Sequence, residues 1–431
     1  MKSVLICTYV FPPFGHAPVQ RVLRFAKYLP QFGWHPVILT ISNPSHQMQT
    51  GESGEGIVEH LEVYRAPTIE PPTALKAKVR EWLRSRNTAT QKPGSSAPLH
   101  AKVQVLDTHV GWVPFATLRG WPLIHRKKID AIFVTAPPFS SLLIGKYLAK
   151  LTGRPFVADF RDEWCGFLSW GYESGGGRNT FAERLESGVV RTARKVVTVS
   201  NGITENFRRR YTDLEPSRFA TINNGFDPED FPTSLTTRTR IVAPKLQITF
   251  IGTVVRLTTA RYFLDALAAN PAVAAQIEVH FYGRIAAEEE AFFNQPALRG
   301  IVHIHGYLEH KIVPHTLCDS DVLLVLLDEV PGAERVPTAK IFEYLAARRF
   351  ILAAVPEGET ASCVRQCGAG RVVPPRDTVK LGETLAWLVE NRRLMRDMPD
   401  YKEEQVQRFS RKSQTQQLAA IFDETTKSQH R

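Results

Sequence analysis

Residues 336–347, Val-Pro-Thr-Ala-Lys-Ile-Phe-Glu-Tyr-Leu-Ala-Ala, place a cation, Lys340, three positions before a carboxylate, Glu343. The spacing of Ile341, Phe342 and Leu345 predicts a helix, with Thr338 as its N-cap. Residues three apart share a helical face. A helix start also offers unsatisfied N–H groups and a positive dipole end to a phosphate. Such a helix can hold a diphosphate and the hydroxyls of a ribose together. An ordinary surface ion pair is the competing reading of this segment alone.

Other candidate residues follow strand-like runs. Gly252 and Thr253 form a turn after Leu246–Gly252, and Arg256 and Arg261 come next. Two guanidinium groups near a strand end suit a diphosphate, because each presents paired donors. A basic helix face is the alternative. Gly283 and the pair Gly306-Tyr307 each end a further run, where they can line a nucleobase or simply pack a loop. In the first half, Tyr9–His16 follows a strand with Pro12, Pro13 and Gly15 shaping a tight loop, and Arg21 opens the next helical region. A glycine there allows close approach of a ligand to the backbone. The stretch Ala158-Asp-Phe-Arg-Asp-Glu-Trp164 ends another strand. Its acids and arginine are costly to bury unless paired, so Asp159, Arg161 and Asp162 form either a salt-bridge network or a substrate contact.

Histidines 303 and 305 alternate on a strand-like run without a third ligand at a recognisable spacing, which favours strand histidines over a metal site. The sequence contains neither a G-x-S-x-G elbow nor a phosphate-binding G-x-x-x-x-G-K-[ST] loop, which lowers the hydrolase and P-loop readings.

The elements that must hold these residues alternate from end to end, as in parallel α/β sheets. Predicted strands in the first half are Val4–Val10, Val37–Ile41, Ala131–Thr135, Phe156–Phe160 and Lys195–Ser200. Helical patterns lie at Gln20–Gln31, Ser141–Leu151 and Asn179–Arg194. After a turn-rich stretch, Asn223–Pro232, and a Thr-rich linker, residues 233–245, a second series begins. Its predicted strands are Leu246–Gly252, Ile277–Tyr282, Ile301–His305, Val322–Leu327, Phe350–Val355 and Gly370–Val373. Ligands of open parallel sheets bind beyond the strand carboxyl ends, which is where the candidates sit.

A chain of 431 residues suits two domains, and 43% hydrophobic with 23% charged residues fits a soluble globular protein. The five cysteines are scattered and odd in number, as expected of reduced thiols in a cytoplasmic protein. No apolar run approaches a membrane span, and the N-terminus lacks a secretory pattern. The net charge of +11 implies an acidic partner: lipid, nucleic acid or phosphorylated substrate. No nucleic-acid-binding module is recognisable. Residues Ala77–Arg86 mix basic positions with Val79, Trp82 and Leu83 at helical spacing, and His125-Arg-Lys-Lys128 adds local charge. A peripheral contact with an anionic membrane and a solvated basic helix both fit. Residues Asn87–Pro98 form a low-complexity patch.

Taken together, Tyr9–His16 with Arg21, Asp159–Trp164, Asn223–Asp227, Gly252–Arg261 and Pro337–Ala347 resemble the retaining GT-B glycosyltransferases of family 4. The resemblance implies α/β GT-B architecture, with two Rossmann-like doubly wound domains facing a cleft. It assigns 1–225 to an acceptor-binding domain and 246–405 to a nucleotide-sugar-binding domain. A helical tail, 406–431, can cross back to the first. It implies transfer of a sugar from a nucleoside diphosphate sugar to a hydroxyl, in cell-surface polysaccharide or glycolipid synthesis, with a lipid-linked acceptor among the options. Catalytic roles fall to Arg256, Arg261, Lys340 and Glu343, the arginines on the diphosphate and Glu343 on the ribose. Gly15, Gly252, Thr253, Gly283 and Tyr307 join the donor side; His16, Arg21, Asp159, Arg161 and Asp162 lie on the acceptor side. No metal is implied, and the nucleotide sugar is a substrate. A cytoplasmic protein, peripheral on the inner face of the plasma membrane, is expected. The chain departs from the family's Glu-x7-Glu, with Arg335 in the first position and Glu334 one residue out of register. A non-catalytic nucleotide-sugar-binding partner and an epimerase of the same fold are the alternatives.

Overall fold

The short runs of Val, Ile, Leu and Phe form the strands of two parallel sheets. The computed structural model describes residues 1–13, 17–42, 55–69, 107, 109–165, 180–232, 244–309 and 311–427. Gly15, His16, the basic segment Ala77–Arg86, the patch Asn87–Pro98 and most of the Thr-rich linker lie outside the described residues. By its internal contacts the chain divides into two units: Met1–Val199, Ile203–Ile222 and Gln414–Arg431 form one, and Ser200–Gly202 with Asn223–Ser413 form the other.

The first sheet contains β1 (Lys2–Cys7), β2 (Trp34–Ile41), β3 (Glu62–Ala66), β4 (Ala131–Ala136), β5 (Phe156–Phe160), β6 (Lys195–Thr198) and β7 (Phe219–Thr221). Its order is β3-β2-β1-β4-β5-β6-β7. Every residue of β4 and β5 is buried, as expected where helices cover both faces. On one face Val4, Ile6, Ile38, Phe133 and Val157 pack with Val19, Val22 and Phe25 of the helix Ala17–Tyr28. Leu418 and Phe422 of the helix Arg411–Lys427 complete that core, with Phe422 edge-on to Trp34 at 5.1 Å.

The second sheet contains β8 (Leu246–Ile251), β9 (Ile277–Tyr282), β10 (Val302–Gly306), β11 (Val322–Leu326), β12 (Phe350–Ala354) and β13 (Gly370–Val373), in the order β10-β9-β8-β11-β12-β13. Alternate residues divide between two cores. Leu324 and Leu352 face the helices Arg261–Ala268 and Thr378–Glu390. Leu323, Val325 and Ile351 face the helices Val313–Asp319, Ile341–Ala346 and Glu359–Gln366.

Observed strand ends differ from the predicted ones by a few residues, since turn residues such as Thr8–Val10 continue an apolar run past its last ladder bond. The strands β3 and β7 were not predicted. The first is a half-exposed edge strand carrying Glu62 and Arg65, and the second has three residues.

One ion pair lies inside the first core. Arg21 is 2% exposed and Asp159 fully buried. The guanidinium donates Nε to Oδ2 at 3.1 Å and Nη2 to Oδ1 at 2.9 Å. Nη2 also donates to the Ile222 carbonyl at 2.9 Å, and the Thr135 hydroxyl to Asp159 Oδ2 at 2.7 Å. Removing one partner of such a pair strands the other charge away from water. Asp159→Ala should therefore lower stability by about 3–5 kcal/mol in urea denaturation. The apolar double replacement Arg21→Met/Asp159→Leu should recover much of the loss. A near-neutral Asp159→Ala would contradict this reading.

Candidate active site

In both sheets the order runs outward in opposite directions from one adjacent pair, β1/β4 in the first and β8/β11 in the second. The connections leaving these two carboxyl ends diverge and open a crevice, the usual ligand position of a doubly wound sheet. In the second unit two loops flank that crevice. The loop after β8 carries Gly252, Thr253 and the short 3-10 helix Arg256–Thr258, and the loop after β11 carries Asp328. The Asp328 N–H donates to the Leu257 carbonyl at 2.7 Å, joining the two loops.

Arg256 is exposed at this point. Asp328 carries the compensating charge. Its carboxylate accepts Nε and Nη2 of Arg376, which follows β13, at 2.8 and 3.0 Å. Burial alone would raise the pKa of Asp328. The Arg376 hydrogen bonds, the Glu329 N–H and the charges of Arg376 and Arg256 outweigh it and hold the carboxyl below its ordinary range. The result is an ionised carboxylate fixed by one arginine, with a second arginine beside it exposed to solvent. Neither Asp328 nor Arg376 was predicted. The visible signal was an acid closing the apolar run 322–327.

Arg261 begins the helix Arg261–Ala268, exposed, with Nε 3.7 Å from Asp265 and its guanidinium over the rings of Tyr262 and Phe292 at 5.7 and 5.2 Å. Arg376 also lies over the Tyr262 ring, at 5.9 Å.

Lys340 and Glu343 do form an ion pair, Nζ to Oε2 at 2.8 Å, both partly exposed. The helix is shorter than predicted, Ile341–Ala346, and its N-cap is Lys340, not Thr338. The Thr338 carbonyl accepts the Ile341 N–H at 3.1 Å, and the Thr338 N–H donates to the Thr360 hydroxyl at 3.1 Å. Ile341, Phe342 and Leu345 are buried as expected. Tyr344 sets the position of the pair. Its fully buried hydroxyl accepts the Ile251 N–H at 2.8 Å, which fastens the helix to the last residue of β8. Burial raises its pKa, so it stays a neutral phenol. Glu334 accepts the Gly332 N–H at 2.8 Å and Arg335 Nη1 at 3.2 Å.

Gly283 has a structural reason to be glycine. Its φ is +125°, and a Cβ there would lie 1.9 Å from the Gly252 carbonyl oxygen. The loops after β8 and β9 are laced together by Gly252 N–H to Tyr282 O at 2.9 Å and Val254 N–H to Arg284 O at 2.8 Å. Gly283 thus shapes the loop of Gly252 and Thr253 from below. Tyr307 follows β10, the edge strand, two strands away from β8, and is 84% exposed. No described aromatic ring or cation pairs with it, so its expected place on the donor side has no support from packing.

In the first unit, burial takes Arg21 and Asp159 out of the acceptor contacts expected of them, because their polar atoms serve the core pair described above. Arg161 also turns to the backbone, donating Nε to the Ala136 carbonyl at 3.1 Å and Nη2 to the Pro137 carbonyl at 2.7 Å. It braces the loop after β4. Burial pushes the Asp162 carboxyl up, against the opposing charge of Arg161. The loop after β1 is held by Arg65, which donates Nη2 to the Pro12 carbonyl at 2.6 Å and Nη1 to Ile41 O at 3.0 Å. Among the described residues no group of three or more His, Cys, Asp or Glu could hold a metal ion. His280 does join His303 and His305, with His280 Nδ1 and His305 Nε2 3.0 Å apart.

Residues 17–225 match a family model described as Glycosyl transferase 4-like domain. Similar solved structures include Anabaena HepE in complex with UDP and glucose, at TM-score 0.65 and 16% identity over 98% of this chain and 100% of that one. Sucrose-phosphate synthase from Thermosynechococcus elongatus aligns at TM-score 0.66 and 14% identity, over 99% and 100%. WaaG, a glycosyltransferase involved in lipopolysaccharide biosynthesis, aligns at 0.58 and 15%, over 97% and 99%. The chain has the GT-B fold of these structures, and its first half carries a glycosyl transferase 4-like domain. No curated protein matches it in sequence.

Gly283→Ala should destabilise the protein by about 1–3 kcal/mol from backbone strain alone, with the clash against Gly252 added. Gly300→Ala is the control, since Gly300 also has a positive φ, +72°, but open space around it. Thermal unfolding should show the larger loss at position 283; equal losses would contradict the lacing of the two loops.

Proposed function

We propose that this protein transfers a sugar from a nucleoside diphosphate sugar to a hydroxyl acceptor, with retention at the anomeric carbon. The observation that carries the reading is the exposed Arg256 at the second switch point, beside an aspartate already neutralised by Arg376. A diphosphate entering there meets an arginine whose charge is not consumed by a carboxylate hydrogen bond. The nearby Lys340–Glu343 pair supplies the other two functions once it opens. Lys340 adds charge for the phosphates, and Glu343 accepts from ribose hydroxyls. HepE, which shares the fold, has been captured with UDP and glucose.

Breaking the anomeric bond places negative charge on the departing diphosphate. Preorganised donors aimed at that charge lower the barrier more than they tighten ground-state binding. Arg256, Arg261 and Lys340 are assigned this work. The leaving phosphate oxygen takes the proton of the attacking hydroxyl on the same face of the sugar, so retention needs no carboxylate nucleophile and no metal. In this reading Gly15 serves the donor and His16 the acceptor.

The acceptor is proposed to belong to cell-surface polysaccharide or glycolipid, reached at an anionic membrane surface. The basic segment Ala77–Arg86 supports this, as does the helix Val113–Arg126, which ends in basic residues and exposes Leu118 and Trp121. No described helix is long and apolar enough to cross a membrane. Arg335, at the position of the first acid of the family pattern, favours one other reading, a partner that binds nucleotide sugar without turnover.

Arg256→Ala should reduce kcat by about 10²–10³-fold, the usual cost of removing one charge-stabilising donor, with the unfolding midpoint unchanged. Wild-type turnover in a folded Arg256→Ala protein would sink the assignment. Donor binding without product in the wild type would favour the partner reading.

A further inference from the structure

The amino end of the first sheet holds a second cationic feature, far along the strands from the carboxyl-end loops. Chain segments entering β5, β6 and β7 line a solvent-open cavity of about 290 Å³. Five cations line it: Lys150, Arg154, Arg191, Arg194 and Arg218. Arg191 is bound to Asp213, with Nη2 3.2 Å from Oδ1, and Arg218 donates Nη1 to the Arg191 carbonyl at 3.2 Å. Lys150, Arg154 and Arg194 have no carboxylate partner among the described residues.

Cations at helix ends are commonplace, and the helices Leu142–Thr152 and Thr180–Thr192 both end here. Their carbonyl ends amount to roughly half a negative charge each. Together with Asp213 they offset about two of the five positive charges, and roughly three remain. Nothing in the fold requires this excess. The backbone N–H groups of Gly153 and Arg194 are already bonded to Ala149 O and Phe156 O, so binding falls to the side chains. Arginine forks match the paired oxygens of phosphates. The cavity is near the small end of ligand pockets, roughly 300–1,000 Å³. It suits a diphosphate or a phosphorylated head group and is too small for an entire nucleotide sugar.

We infer that this pocket is a binding site for a small multivalent phosphate, separate from the donor site and independent of the transferase reading. The ligand is either a free phosphate anion or the head group of an anionic lipid. Calorimetry with inorganic pyrophosphate at low ionic strength distinguishes the sites. Arg256→Ala/Arg261→Ala should keep one pyrophosphate site, whereas Arg154→Ala/Arg194→Ala should bind that site at least about tenfold more weakly. Flotation with phosphatidylcholine vesicles, with and without phosphatidic acid, separates the two sources. Weaker pyrophosphate binding in Arg154→Ala/Arg194→Ala with unchanged flotation identifies a free anion. Weaker pyrophosphate binding together with loss of phosphatidic-acid-dependent flotation identifies a head group. Both cations are solvent-accessible, so the variant should fold, and equal unfolding midpoints check this. A folded Arg154→Ala/Arg194→Ala protein that binds pyrophosphate as the wild type does overturns the inference, whatever its flotation.

Discussion

A parallel sheet covered on both faces has no room for chemistry except at its strand ends, and both sheets of this chain are covered. The alternating burial of β11 and β12 between two cores leaves their backbones saturated and their side chains packed. Polar function is therefore pushed into the loops after β8 and β11, where strand order reverses. Position there is set by backbone contacts more than by side chains. Gly283 sits against Gly252, Asp328 N–H meets Leu257 O, and the Tyr344 hydroxyl caps the end of β8. Moving any of these moves the charged residues carried by the same loops.

The two units handle charge differently at their switch points. In the first, Arg21 and Asp159 are buried together and tie the helix after β1 to β5, while Arg161 holds the carbonyls after β4. These charges organise loops. In the second, Asp328 is buried but Arg376 and Arg256 are exposed, so positive charge faces solvent. An anionic ligand gains from the second arrangement and not from the first. That contrast supports assigning the nucleotide diphosphate to the second unit.

The strands were legible in the sequence because double burial writes them as unbroken apolar runs. Phe156–Phe160, Ile277–Tyr282 and Gly370–Val373 have the predicted ends. The edge strand β3 was not legible, since one exposed side lets Glu62 and Arg65 interrupt the pattern. Arg256 was legible as a candidate because it follows a strand, and its exposure agrees with that. Arg21 and Asp159 looked similar in sequence but are partners 138 residues apart, and nothing local distinguishes a core pair from a site pair. Asp328 and Arg376, 48 residues apart, were missed for the same reason. Tyr344 reads as part of an apolar helix face, so its hydrogen bond to Ile251 could not be foreseen.

The proposed function stands or falls with binding of a nucleoside diphosphate sugar at the second switch point. The most direct measurement is thermal unfolding of the wild-type protein against a panel of UDP-, GDP- and dTDP-sugars at millimolar concentration. A ligand at a hundred times its Kd adds about 2.7 kcal/mol of stability, so a true donor should raise the midpoint visibly, and one nucleotide should stand apart from the rest. A folded protein whose midpoint is unmoved by every member of the panel would contradict the account.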